Sequence, residues 1–340
     1  MQRYWLFPFS LLLHAVLKIR HVLFDWGIFS SKEGVISSIV IGNLNIGGTG
    51  KTPFTNMLLT DLQKEHTLAF LSRGYGRRSK GFKKIEKMDD AETVGDEPLL
   101  IAQRHSNLSC FVGENRVASI EKIQRIDPHT QWIVLDDAFQ HRTLKPNISI
   151  LLTRYSQLFT EDQLWPVGNL RDLKSAARKA DAIVITSTPL DCSEEERESK
   201  RKSIRQYCKG EIFFAQTQYQ TPLPVFEKHQ PLSLPLGAFC GIAQPKPFLE
   251  YVQQHLGATL HRSFPDHHPF SAHDLTSLEA EMVNFDSKIN TWITTEKDAM
   301  RLRHLKEWQS MNIFYLPIET TIHPEDQVLW NQWLTQKMRK

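Results

Sequence analysis

Short apolar runs alternate with helix-length polar stretches along most of the chain. Runs rich in β-branched and aromatic residues occupy positions 39–41, 68–71, 110–112, 133–135, 148–152 and 183–186. Each has the length of a buried strand and lacks the alternation of a strand wetted on one face. After the first run, Phe54, Met57, Leu58 and Leu62 fall at helical spacing. Strands of this kind spaced by helices predict βαβ units and a parallel sheet covered on both faces. Periodicity fades over the proline-bearing stretch 218–235, which reads as a linker. A second set follows at 238–242, 247–256, 292–294 and 313–316 and predicts a smaller α/β unit. The charged run 194–202 reads as a solvated helix face.

The first thirty residues break this pattern. YWLFPFSLLLHAVLKIRHVLFDWGIF, from position 4, is dense in leucine and aromatics. Its uncharged part, 4–17, falls short of the ~20 apolar residues of a spanning helix. No small-residue cleavage site follows it, so a signal peptide fits poorly. Leu12, Leu13, Val16, Leu17, Ile19 and Leu23 suggest an apolar face, with Lys18, Arg20 and His21 offset from it. Two readings stand: a helix lying on an anionic membrane surface, and a buried helix capping the sheet.

Composition narrows the class without deciding it. Hydrophobic residues make up 41% and charged residues 23% of 340, as in a folded domain pair. A net charge of +3 gives no reason to expect nucleic acid. Cys110, Cys192, Cys208 and Cys240 are scattered, which argues against a zinc site or a disulfide framework.

Chemistry enters at the end of the first strand-like run. Asn45-Ile46-Gly47-Gly48-Thr49-Gly50-Lys51-Thr52-Pro53 joins a strand to a helix, as a phosphate-binding P-loop does. Glycines let several backbone N–H groups converge on one anion, and the helix N-terminus adds partial positive charge. Lys51 suits the β- and γ-phosphates, and the Thr52 hydroxyl suits Mg²⁺. The usual pattern has glycine where Asn45 stands. The doubled glycine is similar to the loop of partitioning ATPases, whose signature lysine is replaced here by Ile46. The expected fold is therefore α/β: a P-loop NTPase-type parallel sheet over 31–220, a smaller C-terminal α/β domain over 221–340, and the N-terminal segment 1–30.

Downstream, Trp132-Ile133-Val134-Leu135-Asp136-Asp137 has the form of a Walker B strand, carrying carboxylates to the phosphate side of the sheet. The following Phe139-Gln140-His141-Arg142 should line the cleft. Between these motifs lie Ser72-Arg73-Gly74-Tyr75-Gly76, Val94-Gly95-Asp96-Glu97-Pro98 and Gly113-Glu114-Asn115-Arg116. Each could be an ordinary turn. Sharing one sheet end with a P-loop, they read together as a polar rim.

Taken in order, these motifs resemble the tetraacyldisaccharide 4'-kinases, the lipid A 4'-kinases of Gram-negative bacteria. The resemblance also rests on Gly168-Asn169-Leu170-Arg171-Asp172, Asp266-His267-His268 and Thr294-Thr295-Glu296-Lys297-Asp298-Ala299, and extends to about residue 302. It implies transfer of the γ-phosphoryl of ATP to the 4'-hydroxyl of a tetraacyldisaccharide 1-phosphate, at the cytoplasmic face of the inner membrane. Family members tolerate asparagine where Asn45 stands. Asp96 would be the base, paired with a His from the second domain, His267 or His268, with His267 preferred. Thr52 with Asp136, Asp137 or both would hold Mg²⁺. Arg171 would meet an acceptor phosphate or the transferred oxygens, and Tyr75, Glu97, Arg116, Gln140 and Asn169 would face the acceptor. No nucleic acid and no obligate protein partner is implied. A partitioning-type switch ATPase and a metal-insertion chaperone are the competing classes. Ile46 and the Asp96–His267 set argue against the first, and the lack of a His- or Cys-rich tract against the second.

Overall fold

The computed structural model describes residues 4–284 and 289–339. After an N-terminal helix, α1 (Phe7–Asp25), the chain runs β1 (Ser37–Asn43), α2 (Lys51–Leu62), β2 (Leu68–Ser72), α3 (Asp96–Arg104), β3 (Ser109–Val112), α4 (Arg116–Ile126), β4 (Trp132–Leu135), β5 (Ile148–Arg154), β6 (Ala182–Thr186), α5 (Glu194–Arg205) and β7 (Glu211–Tyr219). These strands form one sheet in the order β7-β6-β5-β1-β4-β2-β3, every neighbouring pair parallel. The unbroken apolar runs are explained by that placement: β1 is buried from Ser38 to Asn43, and β2 and β6 are buried throughout. Because β1 sits between β4 and β5, its C-terminal end opens at the middle of the sheet, where α/β proteins bind ligands.

The second set of runs forms β8 (Leu236–Cys240), α6 (Lys246–Leu256), β9 (Ala258–Ser263), α7 (Ala272–Asn284), β10 (Thr291–Thr295), α8 (Glu296–Leu302) and β11 (Asn312–Leu316). Its sheet runs Leu223–Pro224, β11, β10, β8, β9. Phe239, Phe270, Trp292 and Trp308 pack edge-on in its core, with Phe239–Phe270 centroids 5.6 Å apart.

The chain then turns back. β12 (Ile318–Ile322) pairs antiparallel with β7, Ala215 facing Ile322, and joins the larger sheet at its edge. Helix α9 (Gln327–Met338) sinks Trp330 between Phe54 of α2 and Phe213 of β7, with centroids at 5.8 and 5.1 Å. The division expected at residue 221 is amended accordingly. We propose 31–220 with 318–338 as the larger unit and 221–317 as the smaller. The expected linker also begins too early, since β7 continues to Tyr219.

Helix α1 is not the buried cap that one reading allowed. Only Ser10 and His21 are buried, while Phe7, Phe9, Leu11, Leu12, Val16 and Ile19 are exposed. One side is tied to the body. Ser10 Oγ donates to Leu164 O at 3.1 Å, Arg20 Nη2 to Gln140 O at 2.7 Å, and His21 Nε2 lies 2.6 Å from Asp172 Oδ1.

Candidate active site

Between β1 and α2 the backbone curls through Gly47 (φ 102°) and Gly50 (φ 75°), both in the left-handed region where a Cβ would strain the chain. Lys51 Nζ sits 3.3 Å from Asn43 Oδ1 and 3.6 Å from Asp137 Oδ1, across the mouth of the loop. The Thr52 side chain opens the same helix and is buried. Asn45 is braced from outside: its Nδ2 donates to Asp162 Oδ2 at 3.0 Å, and the Ile46 amide donates to Asn169 O at 2.6 Å. That bracing gives a physical reason for an amide where glycine is usual. It also gives Asn45 and Asn169 supporting positions behind the loop.

At the end of β4 the two carboxylates have different surroundings. Asp137 (φ 48°) accepts from Arg171 Nη1 at 3.0 Å, and Arg171 also reaches Asn43 Oδ1. Burial opposes ionisation of Asp137, yet Lys51 and Arg171 hold it well below the usual carboxylate range. Asp136 is 2% exposed and its Oδ1 has no hydrogen-bond partner. Burial, with the charge of Glu97 nearby, pushes its pKa up to about 7. A buried carboxylate oxygen left unpaired beside a phosphate loop fits a cation that arrives with the nucleotide. Among the described residues no three His, Cys, Asp or Glu side chains gather to hold a metal by themselves. Close packing shapes this corner too, because a Cβ on Gly42 would come within 2.5 Å of Phe139 Cβ.

A second polar centre lies where the two units meet. Asp96 opens α3 behind Gly95 (φ 94°) and is 5% exposed. Its Oδ1 accepts the Glu97 amide at 2.9 Å, and its Oδ2 faces His267 Nδ1 at 3.0 Å and Arg301 Nε at 2.9 Å. Burial opposes ionisation of Asp96, but the His267 hydrogen bond and the Lys297 and Arg301 charges hold it far below the carboxylate range. The hydrogen bond to Asp96 raises the His267 pKa above its ordinary 6.5, against burial. His268 turns away. Its ring stacks on Phe264 at 4.7 Å and its Nε2 lies 3.1 Å from Asp274. The ring of Tyr75, exposed at the rim, lies 5.3 Å from that of His267. Beside the pair, Lys297 bonds Glu97 across the boundary between the units. Glu97, next to Asp96, feels the charge of Lys51, and Asp136 feels that of Glu97, so the phosphate-binding loop, the unpaired buried acid and the carboxylate–imidazole pair adjoin one another around one cleft.

The family described as tetraacyldisaccharide-1-P 4'-kinase matches residues 2–339. The chain belongs to that family. The match carries past residue 302, where recognisable motifs end. A tetraacyldisaccharide 4'-kinase of Bacteroides thetaiotaomicron is 36% identical over 99% of this chain and 93% of its own. One from Flavobacterium johnsoniae is 38% identical over 93% and 92%. A crystal structure of the "apo" form of LpxK from Aquifex aeolicus in complex with ATP covers 99% of this chain and 100% of its own, with 27% identity and a TM-score of 0.74.

Other residues expected to face the acceptor of a tetraacyldisaccharide 4'-kinase are engaged within the protein. Gln140 Nε2 donates to Asn43 O at 2.8 Å, buttressing the strand that feeds the loop. Arg116 is 2% exposed and donates to Gly113 O at 2.6 Å, so it lies under the rim. Burial, with the charges of Arg116, Arg20 and Arg73, pushes the His141 pKa down to about 4, which keeps it neutral. Three residues were missed from the sequence. Arg154, at the end of β5, reaches over the loop: Nη2 lies 3.9 Å from where a Cβ on Gly48 would sit, and Nη1 donates to Gln244. Lys297 lies in the Thr294–Ala299 stretch, where spacing alone gives it no role, and meets Glu97 on the larger unit. Arg301 lies three residues after Asp298 on α8, a helical spacing that puts both on one face.

Proposed function

We infer that this cleft carries the reaction of the tetraacyldisaccharide 4'-kinases: the γ-phosphoryl of ATP passes to the 4'-hydroxyl of a tetraacyldisaccharide 1-phosphate, the lipid A precursor. The observation that carries this is the buried Asp96–His267 pair beside a phosphate loop, because a sugar hydroxyl is a poor nucleophile until its proton has somewhere to go. As the hydroxyl oxygen bonds to the γ-phosphorus, the bond to the ADP oxygen breaks and the hydroxyl proton passes to the Asp96–His267 pair. Asp96 Oδ1 accepts one amide, which leaves it a lone pair for that hydroxyl. Loop amides and Lys51 hold the phosphates, and Arg171 offers its planar fork to oxygens near the transferred group. Thr52 and Asp136 are the residues that would hold Mg²⁺, since Asp137 is neutralised by Arg171 and Lys51. When bound there, the ion would offset charge on the β- and γ-phosphate oxygens.

The test uses labelled ATP and a detergent-dispersed tetraacyldisaccharide 1-phosphate. Label in the lipid supports the reading. Label found only in inorganic phosphate rejects it and favours a switch ATPase.

The acceptor's acyl chains lie in a bilayer, and we place the protein on the inner membrane's cytoplasmic face through α1. This helix is long and apolar enough to span a membrane by length and composition alone. Its polar ties to Leu164, Gln140 and Asp172 favour lying flat, apolar side into the interface. The double variant Leu12→Glu, Ile19→Glu leaves those ties intact and should lower partition onto anionic vesicles at least about tenfold. Vesicle sedimentation measures this, and undiminished binding would move the contact elsewhere.

A further inference from the structure

We propose that Arg301, on α8 of the smaller unit, is the positioning residue that fixes the distance and orientation between Asp96 and His267. The proposal rests on the reading of those two residues as the proton-accepting pair.

The geometry is that of a fork reaching both members of the pair. One edge of the guanidinium meets the Asp96 carboxylate, with Nε 2.9 Å from Oδ2 and Nη2 on the same oxygen. From the other edge, Nη1 donates to Gly241 O at 3.0 Å and to Asp298 Oδ1 at 2.7 Å. Gly241 O also accepts the His267 amide at 3.2 Å, and that amide begins a left-handed turn at His267, φ 56°. A single side chain therefore grips the carboxylate directly and the imidazole through its own backbone turn. The grip is itself anchored. Asp298 is fully buried and accepts from the Gly241 amide at 3.0 Å and from Thr295 Oγ1 at 2.6 Å, so the carbonyl, the acid and the guanidinium form one closed set.

Arg301 is 8% exposed, and a cation so placed is retained only where its donors are met. Lysine could not replace it, because a single ammonium cannot lie along two edges at once. The charge also matters. Lys297 opposes the protonation of His267 that Asp96 favours, and Arg301 adds a second cation, with Nη2 3.5 Å from His267 Nδ1. The charged groups facing the pair are Arg301, Lys297 and Asp298 on α8, Glu97 on α3, and Asp266 beside His267.

Two variants separate geometry from charge. Arg301→Lys keeps the charge and loses the fork. It should lower kcat by about tenfold, with the KM for ATP within about threefold and the acid limb of the pH profile unmoved. Arg301→Met loses both. It should lower kcat by about 100-fold and move the acid limb up by about one pH unit, since His267 then holds its proton more tightly. A kcat within about threefold of the parent's for Arg301→Lys overturns the proposal, as does an Arg301→Met profile that is scaled down without moving. If Arg301→Met no longer binds ATP, Arg301→Lys alone decides. The pair itself is checked in parallel: Asp96→Asn with unchanged turnover would sink the underlying reading, whereas an inactive Asp96→Asn beside an unaffected Arg301→Lys would sink only the role of Arg301.

Discussion

Asp96→Asn should lower kcat by roughly 10²–10⁴, the range that a positioned proton acceptor supplies. ATP affinity should hardly change. The substitution keeps the shape of the side chain and an oxygen for the Glu97 amide, and the side-chain hydrogen bonds of Asp96 go to Glu97, His267 and Arg301 rather than to the loop that grips the phosphates. Arg301 keeps Asp298 as a partner, so the cation is not stranded. Single-turnover kinetics with labelled ATP separates the two quantities, and loss of ATP affinity in step with kcat would point to a collapsed cleft.

The direction of pH dependence follows from the same pair. Asp96 stays ionised across the working range, while His267 is raised above 6.5 by the hydrogen bond to Asp96. Below that raised value the pair already holds a proton and accepts another poorly. Turnover should therefore climb as pH rises through the His267 transition. Stability runs the opposite way. A histidine whose folded pKa is raised contributes fully below its unfolded value and loses that contribution as pH rises through the folded one. Gaining activity and easing the contact between the units thus share one transition, and His267→Gln should remove both trends together.

Much of this was legible because it is local. The phosphate loop is a run of adjacent residues between a strand and a helix, and the Walker B acids end a four-residue apolar strand, so spacing alone locates both. The differing surroundings of Asp136 and Asp137 could not be read. They arise from Arg171 and Glu97, distant in sequence from both. Arg301 was missed for the same reason: its partners Asp96 and Gly241 lie on other elements, and no spacing rule joins them. The return of the chain to the larger sheet was not read, and 221–340 was expected to form one unit. Only the two ends of Ile318–Ile322 are apolar, and its exposed Glu319 and Thr321 flank a buried Thr320 only once the strand is seated at the sheet edge, so no hydrophobic pattern marks it. The pairing of His267 with Asp96 was expected from family resemblance, and the left-handed turn that delivers the ring leaves no mark in composition.

Asp136→Asn should have opposite effects on activity and stability. Kinase activity should fall by about 10²–10³, because the acid proposed to meet the metal would be gone. The ligand-free protein should instead become more stable by about 1–3 kcal/mol, since a buried carboxylate oxygen without a partner carries its full desolvation cost. The sign can be checked against pH. Asp136 titrates near 3.8 unfolded and at about 7 folded. Between those values the native state holds the extra proton, so rising pH weakens the parent and the advantage of the asparagine grows, levelling off above about 7. Melting curves of both proteins at pH 5 and pH 8 without metal measure this difference. Adding Mg²⁺ with ATP should then raise the parent's Tm more than the variant's, because only the parent has the carboxylate for the ion to neutralise. A variant that melts lower than the parent at both pH values would mean that Asp136 accepts a hydrogen bond holding the strand end together, and the metal would have to be sought at Asp137. A site built to receive charge carries strain until the charge arrives, and this carboxylate is where that strain should be measurable.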